Sequence, residues 1–339
     1  MLELACAVVL MVGLTAYAVL GGADLGTGFW DLTAGGARRG ERLRALIKRS
    51  MGPVWEANHV WLIFVLVMFW TAFPVAFAAV MSTLAIPLFA IAVGIIFRGS
   101  AFALRGEAAT ISEARLLGAT FALSSVVVPF FLGAVAGGIA SGRVPVGNAA
   151  GDPVTSWLNP TSVVAGVLAV ATGAHLAAVF LAGDARRAGA TDLARSLRAR
   201  ALGAGAVAGA LAVGGLAVVA ADAPRLFEGL TSGPGLAMVA LSGACGLATL
   251  ALLWRERYAA ARAGAGGAVG AIVAGWALAQ QPYVLPGQLT LEQAAASGPV
   301  LEVLLVSVAI GLALVIPSLW LLFSLFLRGR LDPGDQPRP

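Results

Sequence analysis

The segment Pro53-Val-Trp-Glu-Ala-Asn-His-Val-Trp-Leu62 lies where a basic loop ends and a long apolar run begins. In four consecutive residues it brings together a carboxylate (Glu56), an amide (Asn58) and an imidazole (His59). Such side chains at the edge of an apolar segment cost free energy, and chains seldom keep them there without a use. Their meaning depends first on whether the apolar run crosses a membrane.

The composition of the whole chain indicates that it does. Of the 339 residues 59% are apolar and only 12% are charged, and the mean hydropathy is +0.90. A soluble domain has about 25% charged residues, so this surface must face lipid. Cys6 and Cys245 lie in separate apolar runs without paired spacing, which argues against a disulfide framework and against a zinc site.

The hydrophobic runs predict about nine transmembrane helices. A helix needs roughly 20 apolar residues to cross the hydrocarbon. Nine runs meet this length approximately, and the first twenty residues are interpreted as a retained span because they lack a basic start and a clear cleavage site. The predicted spans are residues 3–33, 54–72, 75–97, 115–137, 160–182, 201–221, 235–254, 265–281 and 300–327.

The loops between these runs give the orientation. Twenty of the 22 basic residues fall in or beside alternate loops, and the intervening loops hold only Arg143 and Arg225. The positive-inside rule places the basic side in the cytoplasm, so the N-terminus is outside and the C-terminus inside. The net charge of +5 is thus a sign of topology and not of nucleic-acid binding. We expect an all-α integral membrane protein with one polytopic helix-bundle domain over residues 1–327 and a polar cytoplasmic tail over residues 328–339.

Two acidic residues lie in the first predicted span. Asp24 is roughly 31 Å along a helix that rises about 1.5 Å per residue, which puts it in the cytoplasmic half. Asp31 lies seven residues on, on nearly the same face but at the interface. Asp24 is either part of a polar path or a helix-end carboxylate that pairs with an arginine of the next loop. Gly22 and Gly26 are spaced to let a second helix approach closely.

The second span enters from the same cytoplasmic side. Glu56 and His59 are three residues apart and share a helix face, so Asp24, Glu56 and His59 are expected at similar depth. Carboxylates and a histidine in series are what a proton path requires. Glu56 has an alternative role as an N-terminal carboxylate that is stabilised by the helix dipole.

The remaining histidine, His175, falls in the fifth span and also in the cytoplasmic half. Depth alone leaves a haem between His59 and His175 open, but two histidines without a motif are a weak haem signal and a packing role is favoured. No histidine cluster suits copper. We therefore expect no cofactor or metal to be bound by this chain.

Two motifs resemble subunit II of the cytochrome bd-type quinol oxidases. They are Gly21-Gly-Ala-Asp-Leu-Gly-Thr-Gly28 and, after the basic loop, Pro53-Val-Trp-Glu-Ala-Asn-His-Val-Trp-Leu-Ile63. The likeness continues more thinly along nearly the whole chain, at Phe73-Pro74, Phe97-Arg98, Phe102, Arg105, Pro129, Gly133, Leu158-Asn-Pro160, Tyr283-Val-Leu-Pro286, Leu289-Thr290 and Pro317.

The resemblance implies a respiratory complex of the bacterial inner membrane that oxidises quinol and reduces dioxygen to water. Haems b and d would lie in subunit I, the partner chain through which quinol is also oxidised. This chain would scaffold that partner and bring it cytoplasmic protons by way of Asp24 and Glu56. Some members have Asp and Gln in the second motif where this chain has Glu56 and His59, and His59 adds a further titratable group to the expected route. Trp61 and Asn58 would lie at the partner interface or the oxygen passage. Some family members have a further acid where this chain has Gly21, so a route that depends on both acids would have to differ.

The resemblance also allows a structural quinone as a cofactor, and small accessory subunits and membrane lipid as partners. No nucleic acid is expected as a partner. The alternative from the residues alone is a proton-coupled secondary transporter, whose intramembrane acids would couple protons to a solute. Nine spans fit poorly with paired inverted repeats, and no pair of broken helices is seen in matching halves.

Overall fold

A computed structural model describes residues 1–51, 55–105 and 110–327, with the side chains of residues 37, 55–57, 323 and 326–327 left out. The described part contains thirteen helices and one two-stranded hairpin. In chain order these are α1 (Leu2–Leu32), α2 (Ala37–Met51), α3 (Trp55–Ala72), α4 (Pro74–Thr83), α5 (Ala85–Leu104), α6 (Ile111–Ala140), α7 (Pro160–Arg187), α8 (Thr191–Asp222), α9 (Pro224–Thr231), α10 (Gly233–Trp254), α11 (Tyr258–Gln280), β1 (Tyr283–Leu285), β2 (Leu289–Thr290), α12 (Leu291–Ala294) and α13 (Gly298–Leu327).

Among the described residues, eight helices are long and apolar enough to cross a membrane, namely α1, α5, α6, α7, α8, α10, α11 and α13. The 18 residues of α3 form the remaining expected span, since about 17 residues is the shortest run that crosses the hydrocarbon. The predicted fold, a helical membrane protein with about nine spans, is confirmed. The predicted tail at residues 328–339 lies outside the described residues, so its structure remains a prediction.

The third span begins later than its hydropathy predicts. Residues 75–97 were expected to form one helix, but the chain breaks at Leu84, which ends α4 and begins α5. Pro87 has no backbone N–H to offer the carbonyl four residues earlier, so the helix cannot run unbroken through this point. The prediction of one continuous helix is wrong here. The span is α5, and α4 is a short apolar helix beside its outer end.

The basic segments come together at one end of the bundle, as the predicted orientation requires. Arg42 of α2 forms an ion pair with Asp192 at the start of α8, with an N···O distance of 2.6 Å. Further along α8, Arg198 pairs with Glu256 in the connection between α10 and α11 at 2.5 Å. These contacts link three cytoplasmic connections of the chain.

The outer connections meet at the opposite end. The amide of Ala296, just after α12, donates to the carbonyl of Ala72 at the end of α3. Arg143 pairs with Asp222 at 2.6 Å and so joins the loop after α6 to the end of α8. In the same loop, the backbone amides of Val154 and Thr155 donate to the carboxylate of Asp152 and hold its pKa below its usual value.

Helix α7 lies at the centre of the bundle and packs against α1, α6, α8 and α11. Its contact with α1 depends on small residues, because a Cβ built on Gly26 would lie 1.9 Å from the carbonyl oxygen of Gly173. The expected close helix approach at Gly26 is therefore present. Trp30 reinforces this contact by donating its indole N–H to the carbonyl of Ala174 at 2.8 Å.

Candidate functional site

An ion pair between Asp24 of α1 and Arg98 of α5 lies inside the bundle. Asp24 is 4% exposed and Arg98 is 1% exposed. The guanidinium donates from Nη1 to Oδ2 at 3.1 Å and from Nη2 to Oδ1 at 3.1 Å, and Nη2 also donates to the backbone oxygen of Asp24 at 3.0 Å. A planar guanidinium that meets both carboxylate oxygens has the geometry that makes arginine suited to buried pairs.

Helix α6 completes the surroundings of Arg98. Its Nε donates to Ser125 Oγ at 2.9 Å, and that hydroxyl in turn donates to the carbonyl of Phe121 at 2.6 Å. The guanidinium also lies 4.9 Å from the centroid of the Phe121 ring, within the range of a cation–π contact. Three helices, α1, α5 and α6, therefore hold this one cation in place.

The sequence does not predict the role of Arg98, which is one of the 20 basic residues in or beside alternate loops. Arg98 lies six residues before the end of α5, and Asp24 lies eight residues before the end of α1. Both residues are thus roughly 10 Å inside the cytoplasmic ends of their helices. The signal in the sequence for this ion pair was a pair of opposite charges at matching depth in two apolar runs. Asp24 does pair with an arginine, but with one from a neighbouring span and not from the next loop.

Asp31 forms a second ion-pair cluster closer to the cytoplasm. Its carboxylate accepts from Arg44 Nε at 2.7 Å and from Arg105 Nη1 at 2.6 Å. The acids Asp24 and Asp31 are seven residues apart, and so are Arg98 and Arg105. Because α1 and α5 cross the membrane in the same direction, this equal spacing places the two ion pairs one after the other along the same side of both helices.

The second motif begins α3. Asn58 is buried, and His59 and Trp61 are half-buried. The Trp61 ring contacts the Phe64 ring edge to face, with 6.0 Å between centroids and 79° between planes. The side chain of Glu56 lies outside the described residues, so only its place on the helix is given.

Contacts between α1 and α3 fix the relative depth of these residues. A Cβ built on Gly13 would lie 2.5 Å from Phe64 Cδ1, so positions 13 and 64 are level. Because the two helices are antiparallel, position 56 is level with position 21 and position 59 with position 18. Glu56 is therefore roughly 5 Å, and His59 roughly 9 Å, farther from the cytoplasm than Asp24 along the helix axis.

The described residues do not fit a haem held by both histidines. His175 Nδ1 lies 2.9 Å from the carbonyl oxygen of Ala201, and the ring packs against Gly205 of α8. The face of α7 that carries Gly173 packs against α1, and it is not the face that carries His175. Helix α1 also packs against α3, which carries His59. The ring of His175 therefore faces away from His59. In the described part of the chain, no group of three or more His, Cys, Asp or Glu side chains could hold a metal ion.

Comparison with known proteins agrees with this architecture. The sequence profile described as cytochrome bd terminal oxidase subunit II matches residues 2–326. The chain belongs to this family. A chain of the bd oxidase from Geobacillus thermodenitrificans is 26% identical and superposes with a TM-score of 0.78, over 96% of this chain and 98% of that chain. The cytochrome bd ubiquinol oxidase subunit 2 of Bacillus subtilis (strain 168) is 30% identical over 114 residues, which are 34% of this chain and 33% of that relative.

The family match confirms the resemblance seen in the two N-terminal motifs. It also places this subunit II, with its apolar helices, in the bacterial inner membrane as a multi-pass protein. A proton-coupled transporter is not favoured, since the profile covers all nine spans of the chain. Membership of an oxidase complex in turn implies a partner subunit I.

Proposed function

We propose that this subunit II supports the haem-bearing subunit of a quinol:oxygen oxidoreductase and supplies it with cytoplasmic protons through Asp24, Glu56 and His59. The observation that supports the route is the buried Asp24–Arg98 pair, which lies above Asp31 in the cytoplasmic half of the bundle. A charged pair in a membrane is costly. A charge-carrying role offers a reason for its presence there.

The two acids of α1 would act in sequence. Asp31 shares its carboxylate with Arg44 and Arg105, both of which are partly exposed, so it is the acid nearer to cytoplasmic water. Asp24 lies about 10 Å deeper, two helical turns along the same face. The guanidinium of Arg98 lies 3.1 Å from the carboxylate of Asp24 and attracts it electrostatically. A proton that reaches Asp24 would weaken this attraction, so proton uptake and loosening of the pair would accompany one another.

Glu56 and His59 would carry the proton farther from the cytoplasm. Their positions on α3 lie beyond Asp24 in the outward direction, and a carboxylate and an imidazole are side chains that can accept a proton and pass it on. We assign Trp61, which is half-buried, to the partner interface or the oxygen passage, and Asn58 on the same turn of α3, which is buried within this chain, to the oxygen passage. The residues of this chain would therefore move or hold protons, and electron transfer would take place in the partner.

Haems b and d are accordingly assigned to subunit I, which would also bind the quinol. Those haems, when bound, supply electron transfer to dioxygen, and its reduction to water consumes protons. Small accessory subunits and a structural quinone remain predictions, as do specific lipid contacts.

The test is quinol-driven oxygen uptake by the purified complex of this chain with its partner. We expect Asp24→Asn and Glu56→Gln each to lower turnover at least 10-fold, because a positioned proton-transfer group contributes about 10²- to 10⁴-fold to a rate. Asp192→Asn is the matched control, since Asp192 is also a cytoplasmic carboxylate paired with an arginine but is exposed. Its turnover should equal that of the wild type.

The visible absorption spectrum of each variant complex separates loss of function from loss of assembly. A variant with the wild-type haem spectrum and low turnover supports the proton route. If both variants have wild-type turnover, the assignment of Asp24 and Glu56 is wrong even though the family is right. If purified native complex lacks haem absorbance, the oxidase proposal itself fails.

A further inference from the structure

The hydroxyl group of Tyr17 is buried in α1 without a hydrogen-bond partner among the described residues. The side chain is 4% exposed, and its Oη atom contacts no donor or acceptor in that part of the chain. A phenol O–H in such a place usually finds a partner, because an unsatisfied polar group in an apolar interior is costly. Ordered water commonly satisfies buried groups that the protein leaves unpaired.

Tyr17 lies on the same face of α1 as the buried ion pair. It precedes Asp24 by seven residues, or two helical turns in the outward direction. A Cβ built on Gly21 would lie 2.6 Å from Tyr17 Cε2 and 3.3 Å from Cζ, so the ring occupies the space that a side chain at position 21 would fill.

Arg98, whose partner Asp24 lies two helical turns from Tyr17, has one N–H donor that its described contacts leave unused. A guanidinium has five N–H donors, and the contacts with Asp24 and Ser125 use four of them, one from Nε, one from Nη1 and two from Nη2. The second N–H of Nη1 meets no acceptor in the described part of the chain. A water molecule needs two to four polar partners to remain buried. It would find them in this N–H and in the hydroxyl of Tyr17.

The depth of Tyr17 puts this water molecule between the residues of the proposed proton route. Position 59 of α3 is level with position 18 of α1, so His59 and Tyr17 lie at nearly the same depth. Asp24 is roughly 9 Å nearer the cytoplasm than His59, and position 56 lies between them at the level of position 21. The Tyr17 ring, beside Gly21, lies between these two levels.

We propose that Tyr17 holds a water molecule above the Asp24–Arg98 pair and thereby connects Asp24 with the level of His59. Tyr17 is a positioning residue here: its hydroxyl orients the water, and the water passes the proton. This inference rests on the proposed proton route.

Tyr17→Phe in the purified complex is the first test, because it removes the hydroxyl and keeps the ring. We expect turnover to fall about fivefold, the effect of one ordinary hydrogen bond on a rate. The fall in turnover at alkaline pH should also begin at a lower pH, since a slower relay becomes limiting at a higher proton concentration. The haem spectrum should not change. Tyr258→Phe, which removes the hydroxyl of another buried tyrosine, at the start of α11, should leave the pH profile as in the wild type.

Gly21→Ala is the second test, because the new methyl group would displace the Tyr17 ring. We expect it to lower turnover as Tyr17→Phe does, and the double variant should lose no more than either single variant. Gly215→Ala is the matched control, since its methyl group would press on Val164 of α7 and not on Tyr17. It should leave the pH profile unchanged.

The melting temperature of Tyr17→Phe gives an independent measurement. A hydroxyl without any partner destabilises the complex, so its removal would raise the melting temperature, whereas removal of a water-bound hydroxyl would not. A higher melting temperature with unchanged turnover overturns the proposal for Tyr17. If Asp24→Asn lowers turnover while Tyr17→Phe does not, the proton route stands and only this extension fails. If neither variant changes turnover, both fail.

Discussion

The two ion-pair sites between α1 and α5 use the same residue types at the same spacing but differ in their surroundings. Asp24 and Arg98 are both 2% exposed in their side chains. Asp31 is equally buried, but its partners Arg44 and Arg105 are 26% and 29% exposed. The site at Asp31 lies nearer the cytoplasm and is called the inner site; its cations open it to cytoplasmic water. The site at Asp24 is called the deeper site and is closed on all sides by protein.

This difference determines what each site can do. In the deeper site one cation neutralises one anion, so the loss of either leaves a charge with no solvent to stabilise it. In the inner site two cations share one carboxylate, and the guanidinium of each arginine can also be hydrated by cytoplasmic water. The inner site tolerates change and suits exchange with the cytoplasm, whereas the deeper site can change its charge only if its partner responds.

The largest effect is expected from Arg98→Met, which leaves Asp24 buried without a partner. Removing one member of a buried pair costs about 3–5 kcal/mol, so the yield of assembled complex and its melting temperature should both fall steeply. Thermal denaturation followed by haem absorbance measures this. The double variant Asp24→Val/Arg98→Met should regain most of the stability but not the turnover. If Arg98→Met melts as the wild type does, the pair is not the closed site described above.

A smaller effect is expected from Arg105→Gln in the inner site. Arg44 still neutralises Asp31, and the removed cation is partly exposed, so the loss should be about 1 kcal/mol or less. Arg44→Gln should behave alike. The double variant should lose more than the sum of the two, because Asp31 would then be buried without a cation. Melting temperatures of the four proteins in this cycle test it, and strict additivity would contradict the shared-carboxylate geometry.

The sequence predicted those features of the fold that depend on local chemistry. The number of spans follows from the length of each apolar run, and the orientation follows from the side on which arginines accumulate. Helix α2 was not predicted, although Leu43, Leu46 and Ile47 have helical spacing and are buried against the bundle. The basic residues around them dominated the composition of that loop.

The features that were missed depend on pairing between distant segments. Asp24 and Arg98 are separated by 74 positions, and their contact follows only once α1 and α5 are known to be neighbours that run in parallel. The position of Asp24 in the cytoplasmic half was predictable from helix rise alone. The unsatisfied hydroxyl of Tyr17 was not, since a tyrosine in an apolar run gives no sign of which groups surround it.

The smallest effect is expected from Arg42→Gln, although the geometry of its ion pair resembles that of the deeper site. Arg42 donates from both terminal nitrogens to the two oxygens of Asp192, at 2.6 and 3.0 Å, but the two side chains are 65% and 62% exposed. Water stabilises both charges when they are apart, and salt screens their attraction when they are together. We expect no measurable change in melting temperature or turnover at physiological ionic strength. Because Arg42–Asp192 and Arg98–Asp24 share the two-pronged contact, the contrast between Arg42→Gln and Arg98→Met measures the effect of burial. A large loss in Arg42→Gln would mean that geometry, and not the surrounding medium, sets the strength of these pairs.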